Sequence, residues 1–350
     1  MNKKDIENYL REVVHPAKDK DIVTLGMVED ITVKKNDVCI TLSFSRHRDP
    51  LSEYLIDAAK AAVIRNCPAL TQVDVKTVVK DEKPAKKNQE FNTAEIEGIG
   101  KIVAVASGKG GVGKSTVAVN LAIALARKGF KVGLADADVY GPSVPKMTGT
   151  EGAVPQGIKD DNGNDLILPI EKYGVKWMSI GYFATPEQAL IWRGPMACNA
   201  LMQMILQVRW GNLDFLLIDT PPGTGDISIS LVRDIPLNGA VIVSTPQDVA
   251  LADVEKSVNM FNNPGVNTPI LGLVENMAWF TPEEHPDEKY YIFGKDGGEK
   301  MAQKYGIPLL GRIPLVQSIR EGGDEGEPAA LGSRPDSLAF LDLASRILEK

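Results

Sequence analysis

Two hydrophobic rhythms divide this 350-residue chain. Up to residue 80, short strands are interleaved with two helices. IENYLREVV reads as a helix, VEDITVKK and the alternating VCITLSF as strands, Leu51 to Arg65 as a long helix, and QVDVKTVV as a closing strand. In the long helix Leu51, Leu55, Ile56, Ala59, Ala62 and Val63 recur at helical spacing, which predicts one face packed on a sheet. Together these elements predict a small α+β domain over 1–80. DEKPAKKNQEFNTAEIEG then shows no period, carries Pro84 and a lysine cluster, and reads as a linker over 81–97.

From residue 98 to 350 the rhythm changes. An apolar strand at 101–106 runs into a helix at 115–128 that stops at Gly129, and KVGLADAD forms the next strand. FLLID (215–219), AVIVS (240–244), ILGLV (270–274) and LLGRI (309–313) follow, with helical stretches between them. Strands alternating with helices predict an α/β domain whose mostly parallel sheet is covered by helices on both faces. The polar motifs fall at the carboxyl ends of these strands, where open α/β sheets bind ligands.

The first of those motifs is Gly108-Lys109-Gly110-Gly111-Val112-Gly113-Lys114-Ser115-Thr116. It satisfies G-x-x-x-x-G-K-[ST] between a strand and a helix. Glycines let backbone N–H groups curl around phosphate oxygens, Lys114 sits near the β/γ charge, and Ser115 is left to hold Mg²⁺. Gly108, Gly110 and Gly113 also fit G-x-G-x-x-G, with Asp136 and Asp138 near the distance of a ribose-binding carboxylate. A dinucleotide fold, however, has no use for Lys-Ser opening the helix or for a later strand ending in DTPPGTGD. The triphosphate reading therefore leads. Asp219, at the end of FLLID, is suited to hold Mg²⁺ through water, and the glycines after it allow movement with the γ-phosphate.

Composition narrows the class. Hydrophobic residues are 43% and charged residues 24% of the chain, as in globular proteins, and the net charge of -7 leaves no overall basic footprint for nucleic acid. No run approaches bilayer length and the charged start lacks an apolar h-region, so a cytoplasmic protein with no membrane partner is expected. Cys39, Cys67 and Cys198 are odd in number and widely spaced, which argues against a disulfide framework. Cys39 reads as strand core and Cys67 as a buried thiol at a helix end; Cys198 either packs or approaches its twin in a dimer.

The K-G-G-x-G-K-[ST] form, with Lys109 as the additional lysine, resembles the deviant P-loop of dimeric ATPases in the MinD/ParA/nitrogenase-reductase class. That resemblance implies a homodimer in which Lys109 reaches across to the partner's phosphates, Asp138 orients the attacking water, Asp136 supports metal or switch, and Asn276 binds the adenine edge. GPSVPKM, WRGPM, DTPPGTGD, GLVENMAWF and GRIPL together resemble the Mrp/ApbC-type iron-sulfur cluster carrier ATPases. DIVTLGMVEDI near the front is similar to the small domain of iron-sulfur assembly factors. The resemblance thus implies ATP, Mg²⁺ and an iron-sulfur cluster as ligands, recipient apoproteins as partners, and slow ATP hydrolysis. One departure stands out. Where many relatives carry C-x-x-C, this chain reads Thr281-Pro282-Glu283-Glu284-His285, and the cluster ligands stay unassigned. A MinD/ParA-like positioning ATPase and an assembly platform without stable cluster binding are the alternatives.

Overall fold

The computed structural model describes residues 3–16, 20–34, 37–44, 52–67, 72–79, 96, 98–160, 163–183, 194–282, 284–285 and 287–350. The expected linker, apart from Ile96, lies outside them, as do most of SFSRHRDP, the start of WRGPM, and Glu283. Two compact units divide the chain, Met1–Asn92 and Thr93–Lys350.

In the first unit, α1 (Lys3–Leu10) precedes a two-residue ladder of β1 (Val14–His15) with β2 (Lys20–Asp21). The helix expected through Val14 therefore stops at Leu10, because Val14 and His15 pair as a strand instead. Strands β3 (Val28–Lys34) and β4 (Asp37–Phe44) are antiparallel, and α2 (Ser52–Asn66) crosses over to β5 (Gln72–Val79), parallel to β4. Val38, Ile40 and Leu42 of β4 join Ile6, Leu10, Leu55, Ala59 and Val63 in the core. Cys39 alternates away from them with Thr41, half-exposed, so it is not the core thiol its strand suggested.

The second unit begins with β6 (Ile99–Ala106), α3 (Lys114–Arg127), β7 (Val132–Asp136) and the short α4 (Val144–Met147). A hairpin of β8 (Gly157–Lys159) and β9 (Asp165–Ile167) precedes β10 (Ile170–Lys172) and β11 (Val175–Ser179). Then come α5 (Gly194–Leu206), β12 (Leu213–Asp219), α6 (Asp226–Asp234), β13 (Gly239–Ser244), α7 (Asp248–Phe261) and β14 (Ile270–Glu275). The remainder is α8 (Gly297–Tyr305), β15 (Leu309–Arg312), α9 (Gln317–Glu325) and α10 (Pro335–Leu348).

Eight strands form one sheet in the order β10-β11-β7-β12-β6-β13-β14-β15, parallel except for β10. The run Val103-Ala104-Val105-Ala106 is buried on both faces, as a central parallel strand requires. Val103 and Val105 pack under α3 and α10 with Leu121, Leu125, Phe340 and Leu343, while Ala104 and Ala106 pack under α7 with Ile242, Val254 and Phe261. Between its neighbours β12 and β13, β6 sits where the chain winds first one way and then the other. The loop after β6 thus opens at a topological switch point.

Candidate functional site

Backbone geometry explains the glycines of the loop at two positions. Gly113 has φ +79°, and a Cβ there would stand 2.2 Å from Asn276 Nδ2. At Gly108 a Cβ would meet the Asp253 backbone of α7 at 2.3 Å. The loop is further tied down from three directions. Asn276 Nδ2 donates to Val112 O at 2.8 Å, Ser107 Oγ donates to Lys109 O at 2.9 Å, and Gly223 N of the DTPPGTGD segment donates to Ser107 O at 2.9 Å. Gly110 and Gly111 face open space, and Lys109, Ser115 and Thr116 are half-buried around the mouth.

Register brings the charges together. Asp219 pairs in the ladder with Val105 on one side and with Asp136 on the other, so both carboxylates end at one level beside the loop. Lys114, only 6% exposed, places Nζ 2.5 Å from Asp219 Oδ1 and 3.2 Å from Ser115 Oγ. The other carboxylate oxygen, Asp219 Oδ2, is buried with no hydrogen-bond partner among the described residues. A buried, unshared carboxylate oxygen near a serine hydroxyl suits a hard divalent cation with oxygen ligands, so the donor set fits Mg²⁺.

The strand expected to reach Asp138 ends at Asp136. Asp136 is wholly buried: it accepts from Ser179 Oγ at 2.9 Å, Val144 N at 3.3 Å and Asp138 N at 3.2 Å. Burial, then the neighbouring Asp219 charge, push its carboxyl up to about 7, against the opposing pull of Lys114. Asp138 lies in the turn beyond, partly exposed, its carboxyl raised by burial and steadied by the amides of Gly141 and Tyr140. Lys114 and Asp219 act on both aspartates, so the four groups form one cluster.

A folded-state value above the ordinary one means that folded protein keeps a proton the unfolded chain releases. The stability this confers is present at low pH and declines as pH rises from about 4 through about 7. Urea unfolding at pH 5 and pH 8 checks this: Asp136→Asn is expected to lose less stability between the two than the parent.

Ser179 and the Glu275–Arg312 pair were not anticipated. Ser179 ends β11, whose hairpin with β10 turns through Tyr173 and Gly174, both at positive φ. Glu275 Oε2 accepts from Gly298 N and its Oε1 from Arg312 Nε, fixing the end of β14 one residue before Asn276. Cys39 and Cys67 belong to the first unit and Cys198 to the second. Cys67 follows the last residue of α2, half-exposed rather than buried as expected, its amide bonding to Val63 O, and Cys198 packs on α6, its thiol raised by burial and beside Ser230. Among the described residues no group of three or more His, Cys, Asp or Glu is placed to hold a metal ion.

A glycine-rich loop between a central parallel strand and a helix, with lysine, serine and strand-end aspartate at its mouth, defines a P-loop NTPase. Comparisons with known proteins narrow the class. Residues 98–348 match the NUBPL iron-transfer P-loop NTPases, and residues 3–76 match an iron-sulfur cluster assembly protein family. An iron-sulfur cluster carrier protein of Synechocystis is 43% identical over 336 residues, spanning 96% of this chain and 93% of that protein. An Arabidopsis thaliana iron-sulfur protein required for NADH dehydrogenase is 52% identical over 258 residues, 73% of this chain and 80% of its own. Among solved structures, a nucleotide-binding protein of Archaeoglobus fulgidus in complex with ADP superposes with TM-score 0.60 at 38% identity, covering 72% of this chain and 96% of that one. The Pyrococcus furiosus cell division ATPase MinD, 24% identical with TM-score 0.52 over 71% of this chain and 99% of its own, shares the fold. The chain belongs to the NUBPL iron-transfer P-loop NTPase family. None of the described helices is long and apolar enough to cross a membrane.

Proposed function

We propose that this protein is an ATP-binding, ATP-hydrolysing homodimer that binds iron-sulfur clusters and transfers them to recipient apoproteins. The observation that carries the reading is the Lys114–Asp219 pair sunk beneath the glycine loop, in a chain matched at both ends by iron-sulfur families. A triphosphate tail competes with Asp219 for the Lys114 ammonium, while amides from Gly108 to Thr116 take up phosphate oxygens. Asp219 and Ser115 would hold Mg²⁺, with Asp136 behind them, and the ion would supply charge neutralisation to the phosphate tail. Asp138 orients the attacking water, Lys109 reaches the partner's nucleotide, and Asn276, already gripping Val112, meets the base.

Clusters are the cargo, with the transfer step set by nucleotide state. Anaerobic reconstitution, followed by visible spectroscopy and iron counting with and without ATP–magnesium, tests this. The expected result is cluster uptake by the dimer and its appearance in an apo-acceptor. A dimer that hydrolyses ATP but takes up no cluster under any nucleotide condition assigns the chain to the assembly-platform reading, which the sequence Thr281–His285 in place of a cysteine pair favours.

A further inference from the structure

Glu275, at the carboxyl end of β14, is a carboxylate only 2% exposed that phosphate binding as described leaves without a role. Both of its oxygens are taken. Oε2 accepts from the amide of Gly298 in the first turn of α8, and Oε1 accepts from Arg312 Nε of β15 at 3.2 Å. A Cβ at Gly298 would stand 2.7 Å from Oε2, so the helix backbone and the carboxylate meet with nothing between them. Arg312 in turn reaches Asp296 and Glu299 through Nη2. Among the described residues it is the only salt-bridge partner of Glu275. A buried carboxylate stripped of its one cation is unstable where it stands.

The next residue carries that placement to the phosphate site. Successive side chains leave a strand on opposite faces, so Asn276 points away from α8 and toward the loop and α3. There, 5% exposed, it donates from Nδ2 to Val112 O at 2.8 Å and lies too close to Gly113 for any Cβ to fit. The peptide joining the two residues is gripped by both neighbouring strands: Asn276 N donates to Ser244 O at 2.8 Å, and Ile313 N donates to Glu275 O at 2.9 Å. Met277 follows at φ +54°, a left-handed conformation that a methionine keeps only where its surroundings impose it. Asn276 is thus placed by Glu275 before it and by a constrained turn behind it.

We propose that Arg312 and Glu275 are positioning residues for phosphate binding, holding Asn276 where it braces the loop at Val112. This role presupposes the ATP site proposed above and extends it to the far end of the sheet. β15 is three places from β6 in the strand order, so Arg312 acts through Glu275 and Asn276 rather than on phosphate. Its effect is to keep Val112 to Lys114 in the shape that a triphosphate meets. A loop already shaped binds more tightly, because less ordering is left to be done on binding.

The test measures binding of ATP–magnesium and of inorganic tripolyphosphate–magnesium, a probe without a base, by titration calorimetry on the full-length protein. Arg312→Gln is expected to weaken both by about tenfold, as for the loss of one hydrogen-bonded brace, and to leave kcat at saturating ATP unchanged. Arg312→Lys keeps a cation that serves one carboxylate at a time, and should weaken both by about threefold. In an Asn276→Ala background the brace is already gone, so Arg312→Gln should change either affinity by less than about twofold. Arg127→Gln is the control for general destabilisation: it removes bonds to Ala330 O, Gly332 O and Ser337 Oγ at the other end of α3, and should bind both ligands as the parent does. Parent-like binding by Arg312→Gln, or by Arg312→Lys should the first fail to fold, overturns the proposal and leaves the ATP site standing. So do effects that add to those of Asn276→Ala, a loss confined to kcat, or an equal loss in Arg127→Gln. Weaker ATP binding with unchanged tripolyphosphate binding also overturns it, since the pair would then act on the base alone. A folded parent that binds neither ligand removes the ATP site, and this role with it.

Discussion

Lys114→Ala is expected to lose tight ATP–magnesium binding, by at least about a hundredfold, roughly 3 kcal/mol, in titration calorimetry. Lys114 is the cation at the centre of the buried cluster: its ammonium touches Asp219 and its field reaches Asp136 and Asp138. Removing it takes away the charge that phosphate oxygens would meet and leaves buried carboxylates facing the same anion. The substitution also acts on the fold. Breaking one partner out of a buried pair costs about 3–5 kcal/mol, because the remaining charge stays desolvated. Adding Asp219→Asn separates the two effects. The double variant is expected to regain most of the stability and none of the affinity. Unchanged ATP binding by a folded Lys114→Ala protein would overturn the phosphate-loop assignment.

Strong local signals made most of the large unit legible. The expected strand at 101–106 and helix at 115–128 appear as β6 and α3, with Gly129 in the left-handed region at φ +92° just past the helix end. Apolar runs at 215–219, 240–244, 270–274 and 309–313 became β12 to β15 within a residue or two at each end. The runs of β12 and β13 are buried on both faces, as central parallel strands covered by helices are, whereas β15 at the sheet's end is only partly buried. In the small unit, the spacing of Leu55, Ala59 and Val63 identified the buried face of α2 correctly. Its first helix was overextended, since IENYLREVV keeps apolar residues at helical spacing after the backbone has turned at Arg11.

What escaped the sequence was set by tertiary contact. β10 and β11 are short, and their hairpin depends on Tyr173 adopting φ +55°, which a tyrosine rarely does. Tyr173 is held there by its hydroxyl bond to Gly326 O, a partner 153 residues away, and by Lys172 over its ring. Without that strand Ser179 has no place beside Asp136, so the environment of Asp136 could not be read from the motif. Spacing put both aspartates at the end of one strand; in the structure the strand ends at Asp136, which is wholly buried, and Asp138 lies beyond it, partly exposed. Asn276 was likewise visible as a residue, but its grip on Val112 follows from Glu275 and Arg312 fixing the strand end, a contact between elements far apart in sequence.

Asp138→Asn is expected to keep ATP–magnesium affinity within a few-fold and to slow phosphate release by roughly 10²–10⁴-fold, the range for removing a positioned proton acceptor. Asparagine is nearly isosteric and still accepts from the amides of Tyr140 and Gly141, so the turn keeps its shape. What it lacks is the ability to take or steer a proton from water. Asp138 suits that work because burial raises its carboxyl above the ordinary range, making it a better proton acceptor once ionised, while Lys114 pulls the other way. Turnover by the parent should therefore rise with pH as Asp138 ionises, and the residual rate of Asp138→Asn should lack that limb. Asp136→Asn provides the contrast. Buried behind Ser179 and the Val144 amide, Asp136 should change the pH dependence of stability more than the chemical step. Single-turnover phosphate release across pH 5 to 9 measures both variants. A pH limb that persists in Asp138→Asn and vanishes in Asp136→Asn would move the water-orienting role to Asp136.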